Sequence, residues 1–199
     1  MSEYAQASVS NFFKSDINFN DVYPLNIRRL SIRHWTPIHI AKLAAGFLAD
    51  EGSKILDVGS GVGKFCLAGA YYAPDAQFFG VEQRESLVRR AVWAQRTLAI
   101  ENVSFIHGNF TQLNLKEFNH FYFYNSFYEN IDDIDRIDDE IDYSEALYEY
   151  YVRYLYNGFQ QMPKGTKIVT YHSFQQEIPK GYEMVESHQN GDLIFWVKK

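Results

Sequence analysis

Residues 57–63, Asp57-Val58-Gly59-Ser60-Gly61-Val62-Gly63, place three glycines at alternate positions where an apolar run gives way to helix-forming residues. Without Cβ atoms the backbone can turn sharply and come close to a ligand. The helix N-terminus that follows offers free N–H groups and positive potential, suited to a carboxylate or a hydroxyl-rich sugar. Glu82 ends the next apolar run, 19 residues past Gly63. A carboxylate there can accept hydrogen bonds from both hydroxyls of a ribose. Alone, such a Glu reads as a solvated strand end; with the glycine loop at this spacing it reads as a ribose ligand. Two phosphate loops are excluded. G-x-G-x-x-G counted from Gly59 meets Lys64 at its sixth position. G-x-x-x-x-G-K-[ST] meets Val58 where its first Gly should be and Phe65 where its Ser or Thr should be.

The elements that must position these residues follow from periodicity. Thr36-Pro37 opens a helix, with Thr36 as N-cap, and Gly52 stops it. Strands are expected over 54–59, 76–82, 103–108, 120–125 and 166–172, and helices over 64–72, 86–98 and 143–161. Two further strands, 182–189 and 192–198, are joined by Asn190-Gly191, the signal for a two-residue type I′ hairpin turn. Alternating strands and helices imply a parallel sheet with helices on both faces, and the hairpin adds an antiparallel strand. Residues 1–35 form an N-terminal arm or lid, with scattered aromatic and basic residues, ahead of a domain spanning 36–199.

Composition bounds the function. The chain has 199 residues, 46% hydrophobic and 17% aromatic, enough for one well-filled core. The net charge of −6 disfavours general nucleic-acid binding, because phosphate binding draws on excess Lys and Arg. Residues 129–149 hold ten Asp or Glu and one Arg, a local −9, so the remainder sums to +3. The acidic run lacks the phase of an EF-hand loop and reads as a solvated face, or else as an attractor of a cationic substrate. The single Cys66 excludes an intramolecular disulfide and a Cys-rich zinc site and reads as a small buried residue, while the six His show no ligand spacing, so no metal is expected. No secretory leader and no apolar stretch of about 18 residues are present. A cytoplasmic protein without membrane association is expected.

The run ILDVGSGVGKF followed by FFGVE resembles the first two motifs of the class I S-adenosylmethionine-dependent methyltransferases, and the resemblance covers about residues 36–199. It implies an α/β, three-layer Rossmann-like sandwich whose seven-stranded, mostly parallel sheet runs 3-2-1-4-5-7-6, with an antiparallel strand in the C-terminal hairpin. It implies S-adenosyl-L-methionine as cofactor, with Asp57, Gly59, Ser60, Gly61 and Gly63 about its methionine and ribose portions. Glu82 falls on the ribose, Asn109 at the adenine amino group and Phe110 beside it. Many family members carry Asp where this chain has Asn109.

Tyr124-Asn125-Ser126-Phe127 stands where the family places its acceptor-side motif. It lacks the Asn-Pro-Pro-aromatic pattern of many amine methyltransferases and over a short stretch resembles the Asn-Asn-Phe-Ala-Phe segment of non-SET histone lysine methyltransferases. Asn125 is the candidate for orienting the acceptor, with Tyr124, Phe127 and Tyr128 shaping its slot. The acidic run follows directly, with Asp132, Asp133 and Asp135 as steering charges; the sequence names no acceptor, and a cationic protein side chain or a small amine is the candidate the run offers. Three readings stay open: a methyltransferase, a catalytically silent cofactor-fold binding module, and an aminopropyltransferase or similar transferase using a related adenosyl cofactor.

Overall fold

A computed structural model describes residues 9–131 and 136–199. Its centre is a seven-stranded sheet: β1 (Lys54–Val58), β2 (Gln77–Glu82), β3 (Val103–His107), β4 (His120–Tyr124), β5 (Lys167–Tyr171), β6 (Tyr182–His188) and β7 (Leu193–Lys198). The order is β3-β2-β1-β4-β5-β7-β6. The first five strands pair in parallel, and β7 runs antiparallel to both β5 and β6. This is the expected sheet.

Period-two alternation sends consecutive strand residues to opposite cores. Ile55, Phe78, Tyr122 and Val169 pack with α3 (Ile38–Leu48), α4 (Lys64–Tyr72) and α5 (Glu85–Leu98). Leu56, Val81, Phe121 and Ile168 pack against α6 (Glu145–Gln160). After β1 the chain moves outward to β2; after β4 it moves outward the other way to β5. The carboxyl ends of β1 and β4 therefore flank a crevice, the place where open α/β sheets take ligands. Among the described residues no helix is long and apolar enough to cross a membrane, and no group of three or more His, Cys, Asp or Glu could hold a metal.

The stretch before α3 carries two short helices, α1 (Asp16–Asn20) and α2 (Leu25–Arg28), and is built into the core. Phe13, Phe19, Val22, Tyr23 and Trp35 are buried, and the Tyr23 hydroxyl donates to Val62 O in the glycine loop at 2.8 Å. Three local expectations are corrected here. Thr36 does not cap α3: its hydroxyl pairs with Tyr122 OH, and the Ile38 N–H at the start of α3 donates instead to Asp16 Oδ1 at 2.9 Å. Helix α6 begins two residues later than expected, capped by Ser144, which leaves Tyr143 outside it. The β6–β7 turn is not a two-residue loop. His188 pairs with Leu193, and Gln189, Asn190 and Gly191 all take positive φ.

Asp16 also compensates a buried cation. Lys64, the first residue of α4, is 4% exposed and lies 2.5 Å from Asp16 Oδ1. An ammonium at a helix N-terminus opposes the helix dipole and needs this partner. Asp16→Ala is therefore expected to lower unfolding stability by about 2 kcal/mol, below the usual cost of breaking a buried pair because Asp16 is itself half-exposed. Urea unfolding reads it; an unchanged midpoint would mean that water replaces the carboxylate.

Candidate functional site

The glycine loop leaves β1 and folds over β2, with Gly59 N–H and Ser60 N–H both donating to Val81 O. All three glycines have positive φ, but their surroundings differ. A Cβ on Gly59 would meet Ser126 at 2.6 Å, and one on Gly63 would meet Phe105 at 2.4 Å. A Cβ on Gly61 would meet nothing within 4 Å. Gly61 therefore faces open space in a cleft of about 1020 Å³, solvent-filled mouth included. Gly59 also lines it, whereas Gly63 sits behind, packed on Phe105 and Ala91.

Glu82 closes β2 at the cleft floor and is buried. Its Oε2 accepts from Gly61 N–H at 3.0 Å and its Oε1 from Arg84 N–H at 2.9 Å. Burial raises its pKa, opposed by the Arg84 N–H and guanidinium and by the Gly61 N–H. Each oxygen keeps a lone pair for a further donor. Asp57 lies one strand over, in a smaller pocket shared with Gly59, Ser60 and Lys64. Burial pushes its carboxyl up to about 8, with Glu82 adding to the rise and a hydrogen bond from the Cys66 thiol opposing it. Among the described residues no cation pairs with Asp57. The Ser60 hydroxyl is buried without a partner.

Beyond β3, Phe110 lines the cleft with Gly108, Gln83 and Tyr151. Asn109 stands off the cleft: its Oδ1 caps the turn at Thr111, and its Nδ2 donates to Gln83 Oε1 and Tyr151 OH. Strands β1, β2 and β3 are neighbours. Along one sheet edge they line up a buried carboxyl lacking a cation, a carboxylate suited to a diol, and an aromatic wall. That donor set fits a ligand with an ammonium group, a sugar and a flat base in that order.

Tyr124, Asn125, Ser126, Phe127 and Tyr128 line the cleft after β4, and Leu30, Arg33, His34 and Trp35 of the arm line it too, with the Tyr124 hydroxyl donating to Arg33 O at 2.8 Å. Asn125 has φ of 40° and its N–H donates to Ser173 Oγ; Asn is among the few residues that tolerate this region. The Ser126 hydroxyl donates to Val58 O, which locks the β4 loop to the glycine loop. Phe127 is buried and stacks on Phe110 at 5.1 Å, so it joins the acceptor side to the base side.

Sequence reasoning missed Gln83, Tyr151, Trp35 and, above all, Arg84. Arg84 is buried and bonded to Glu129, Asp138 and Tyr143. The described acidic side chains nearest the cleft thus face an internal guanidinium. Asp132, Asp133 and Asp135 lie outside the described residues.

A family model described as a methyltransferase domain matches residues 49–191. A tRNA (guanine-N(7)-)-methyltransferase of Synechococcus sp. (strain JA-3-3Ab) is 46% identical over 54 residues, 27% of this chain and 23% of that protein. The match thus spans about a quarter of that relative's length. Among solved structures, an RNA methyltransferase from Salinibacter ruber in complex with S-adenosyl-L-homocysteine superposes with a TM-score of 0.57 at 18% identity, covering 82% of this chain and 92% of that one. Magnesium protoporphyrin IX methyltransferase from Synechocystis PCC 6803, with bound S-adenosylmethionine, gives 0.55 at 16% identity, covering 100% and 86%. At these identities the superpositions show the fold. The relatives named for tRNA overturn the exclusion of nucleic acid drawn from net charge. The physical reason is that Glu129 and Asp138 direct their charge inward onto Arg84, so the total charge does not describe the cleft.

Proposed function

The chain belongs to the class I S-adenosylmethionine-dependent methyltransferases, and from that premise we propose that it methylates a nucleobase of an RNA. One observation carries the acceptor class. The cleft lining after β4 and from the arm is rich in aromatics, and the described carboxylates that line the cleft sit beside Arg84: Trp35, Tyr124, Phe127 and Tyr128 line it together with Asn125 and His34. Such a slot suits a flat, neutral heteroaromatic ring, which can stack on aromatic side chains and exclude water. Relatives and a structural neighbour named for tRNA and RNA support the source of that ring.

The residue roles follow from chemistry. When bound, S-adenosylmethionine supplies the electrophilic sulfonium methyl group. Asp57, buried beside the glycine loop, holds the amino-acid end by pairing with its ammonium. Glu82 accepts hydrogen bonds from the ribose hydroxyls, and the bare backbone of Gly61 lets the ligand sit against the loop. Phe110, with Gln83 and Tyr151, walls the base, and Asn109 acts through its bond to Gln83. Ser60 and Gly59 border the methionine portion, while Gly63 sets the start of α4. Asn125 offers both a donor and an acceptor, so it can orient a ring nitrogen or exocyclic amine without adding charge. Tyr124, Phe127 and Tyr128 shape the slot, and the arm adds Leu30, Arg33 and Trp35 to the cleft lining. The protein's task is alignment and exclusion of water.

The test is transfer of a labelled methyl group from S-adenosylmethionine to fractionated cellular RNA, protein and small molecules, followed by nucleoside digestion. Label is expected in an RNA nucleoside. Asn125→Gly, which retains the left-handed backbone, is expected to lower turnover about 30-fold while leaving S-adenosylhomocysteine affinity within about twofold. Label confined to protein or small molecules would reject the RNA acceptor, and full turnover in Asn125→Gly would remove that residue from acceptor orientation.

A further inference from the structure

Arg84 is a buried cation at the cleft to which the roles above assign nothing. Its side chain is 4% exposed. Nη2 donates to Glu129 Oε2 and to Tyr143 OH, each at 2.6 Å, and Nε donates to Asp138 Oδ1 at 2.9 Å. Nη1 stands 3.7 Å from Glu82 Oε1, the oxygen that accepts the Arg84 backbone N–H. Around this centre the chain folds back on itself: Ile137 N–H donates to Glu129 Oε2, and Tyr143 OH donates to Asp138 O. Ile137, Ile141 and Tyr143 line the cleft. One guanidinium therefore joins the 136–143 stretch to the carboxylate that ends β2. Without it, Glu82, Glu129 and Asp138 would be left as three carboxylates sharing one largely buried space, where repulsion is weakly screened.

We propose that Arg84 is a positioning residue for the cofactor, holding the 136–143 stretch closed against the cleft beside Glu82 so that bound cofactor leaves only when that stretch detaches. The proposal rests on the assignment of Glu82 to the cofactor ribose. Arg suits the task because its planar fork reaches several acceptors at once and stays charged, whereas an ammonium is a single point charge.

The experiment measures association and dissociation rates of S-adenosylhomocysteine by stopped flow, together with amide hydrogen exchange over 136–143 in the free protein. Wild type, Arg84→Gln, Arg84→Lys and Asp138→Asn are compared. Arg84→Gln is expected to raise the dissociation rate about 10-fold or more, with the association rate within about threefold, and to speed exchange across 136–143. Arg84→Lys should recover part of the loss by pairing with one carboxylate. Asp138→Asn, at a partly exposed position, should move the dissociation rate the same way by a smaller factor, which keeps the test valid if Arg84→Gln folds poorly. Unchanged dissociation and exchange in Asp138→Asn and the Arg84 variants would overturn the proposal alone, as would a loss of affinity carried only by association. Failure of wild type to bind S-adenosylhomocysteine would overturn the cofactor assignment and the proposal together.

Discussion

Gly61→Val is expected to weaken binding of S-adenosylmethionine and S-adenosylhomocysteine severely while leaving a folded protein. A Cβ at Gly61 meets no atom within 4 Å, so the side chain finds room in the free protein. The backbone φ of +53° costs a β-branched residue about 1–2 kcal/mol, a tolerable loss for a domain of this size. In the bound state the same room belongs to the ligand, and the valine must displace it. The expected fall in affinity is on the order of 100-fold or more, about 2.7 kcal/mol. Calorimetric titration beside thermal unfolding separates the two effects. Gly63→Ala supplies the contrast: its Cβ would strike Phe105 at 2.4 Å, so it should destabilise the fold. Normal cofactor affinity in a folded Gly61→Val would show that the loop does not hold the ligand.

Asp57→Asn should weaken cofactor binding and stabilise the free protein. The Asp57 carboxyl titrates near 8 because burial penalises its charge, against an ordinary value of 3.8. The folded state therefore binds more protons than the unfolded state between those values, and stability falls as pH rises from about 4 to about 8. An amide removes this cost. At pH 7 the variant should gain about 2 kcal/mol, hence ~4–8 °C in Tm, after allowance for the altered Cys66 contact. An ammonium ligand pairs with the ionised carboxylate, so wild-type affinity should climb with pH and level off above about 8. The variant should lose that slope and about 1.5–3 kcal/mol of binding, roughly 10- to 150-fold. A wild-type affinity flat between pH 6 and 8.5 would take Asp57 out of ammonium binding, and a Tm unchanged by the substitution would show that its carboxyl is not held at a cost.

The seven strands, the glycine loop and Glu82 were legible in the sequence because each is a property of neighbouring residues. Alternation along β1 and β2 sorts Ile55 from Leu56 and Phe78 from Val81, and glycine marks the positive φ values after β1. Strand order then carries Asp57, Glu82 and Phe110 to one edge. Other assignments made from local pattern failed where a distant partner intervened. Thr36 is a good cap by type, but Tyr122 takes its hydroxyl and Asp16, 22 residues before Ile38, accepts the first N–H of α3. Tyr143 continues the helical spacing of α6, but Arg84 holds it outside the helix.

The acidic segment shows the division most clearly. Its charge is plain in the sequence, and a run of carboxylates by default faces water or attracts a cation. The guanidinium that pairs with Glu129 and Asp138 and bonds to Tyr143 lies 45 to 59 residues away in the chain, at the end of a strand on the far side of β1 from β4. Residue type and spacing determined the strands, the helices and the glycine loop, because backbone periodicity is set by covalent neighbours, and the resemblance of the motifs added strand order and cofactor class. Only the tertiary structure decided which charges meet, because pairing depends on distance in space, and strand order sets that distance.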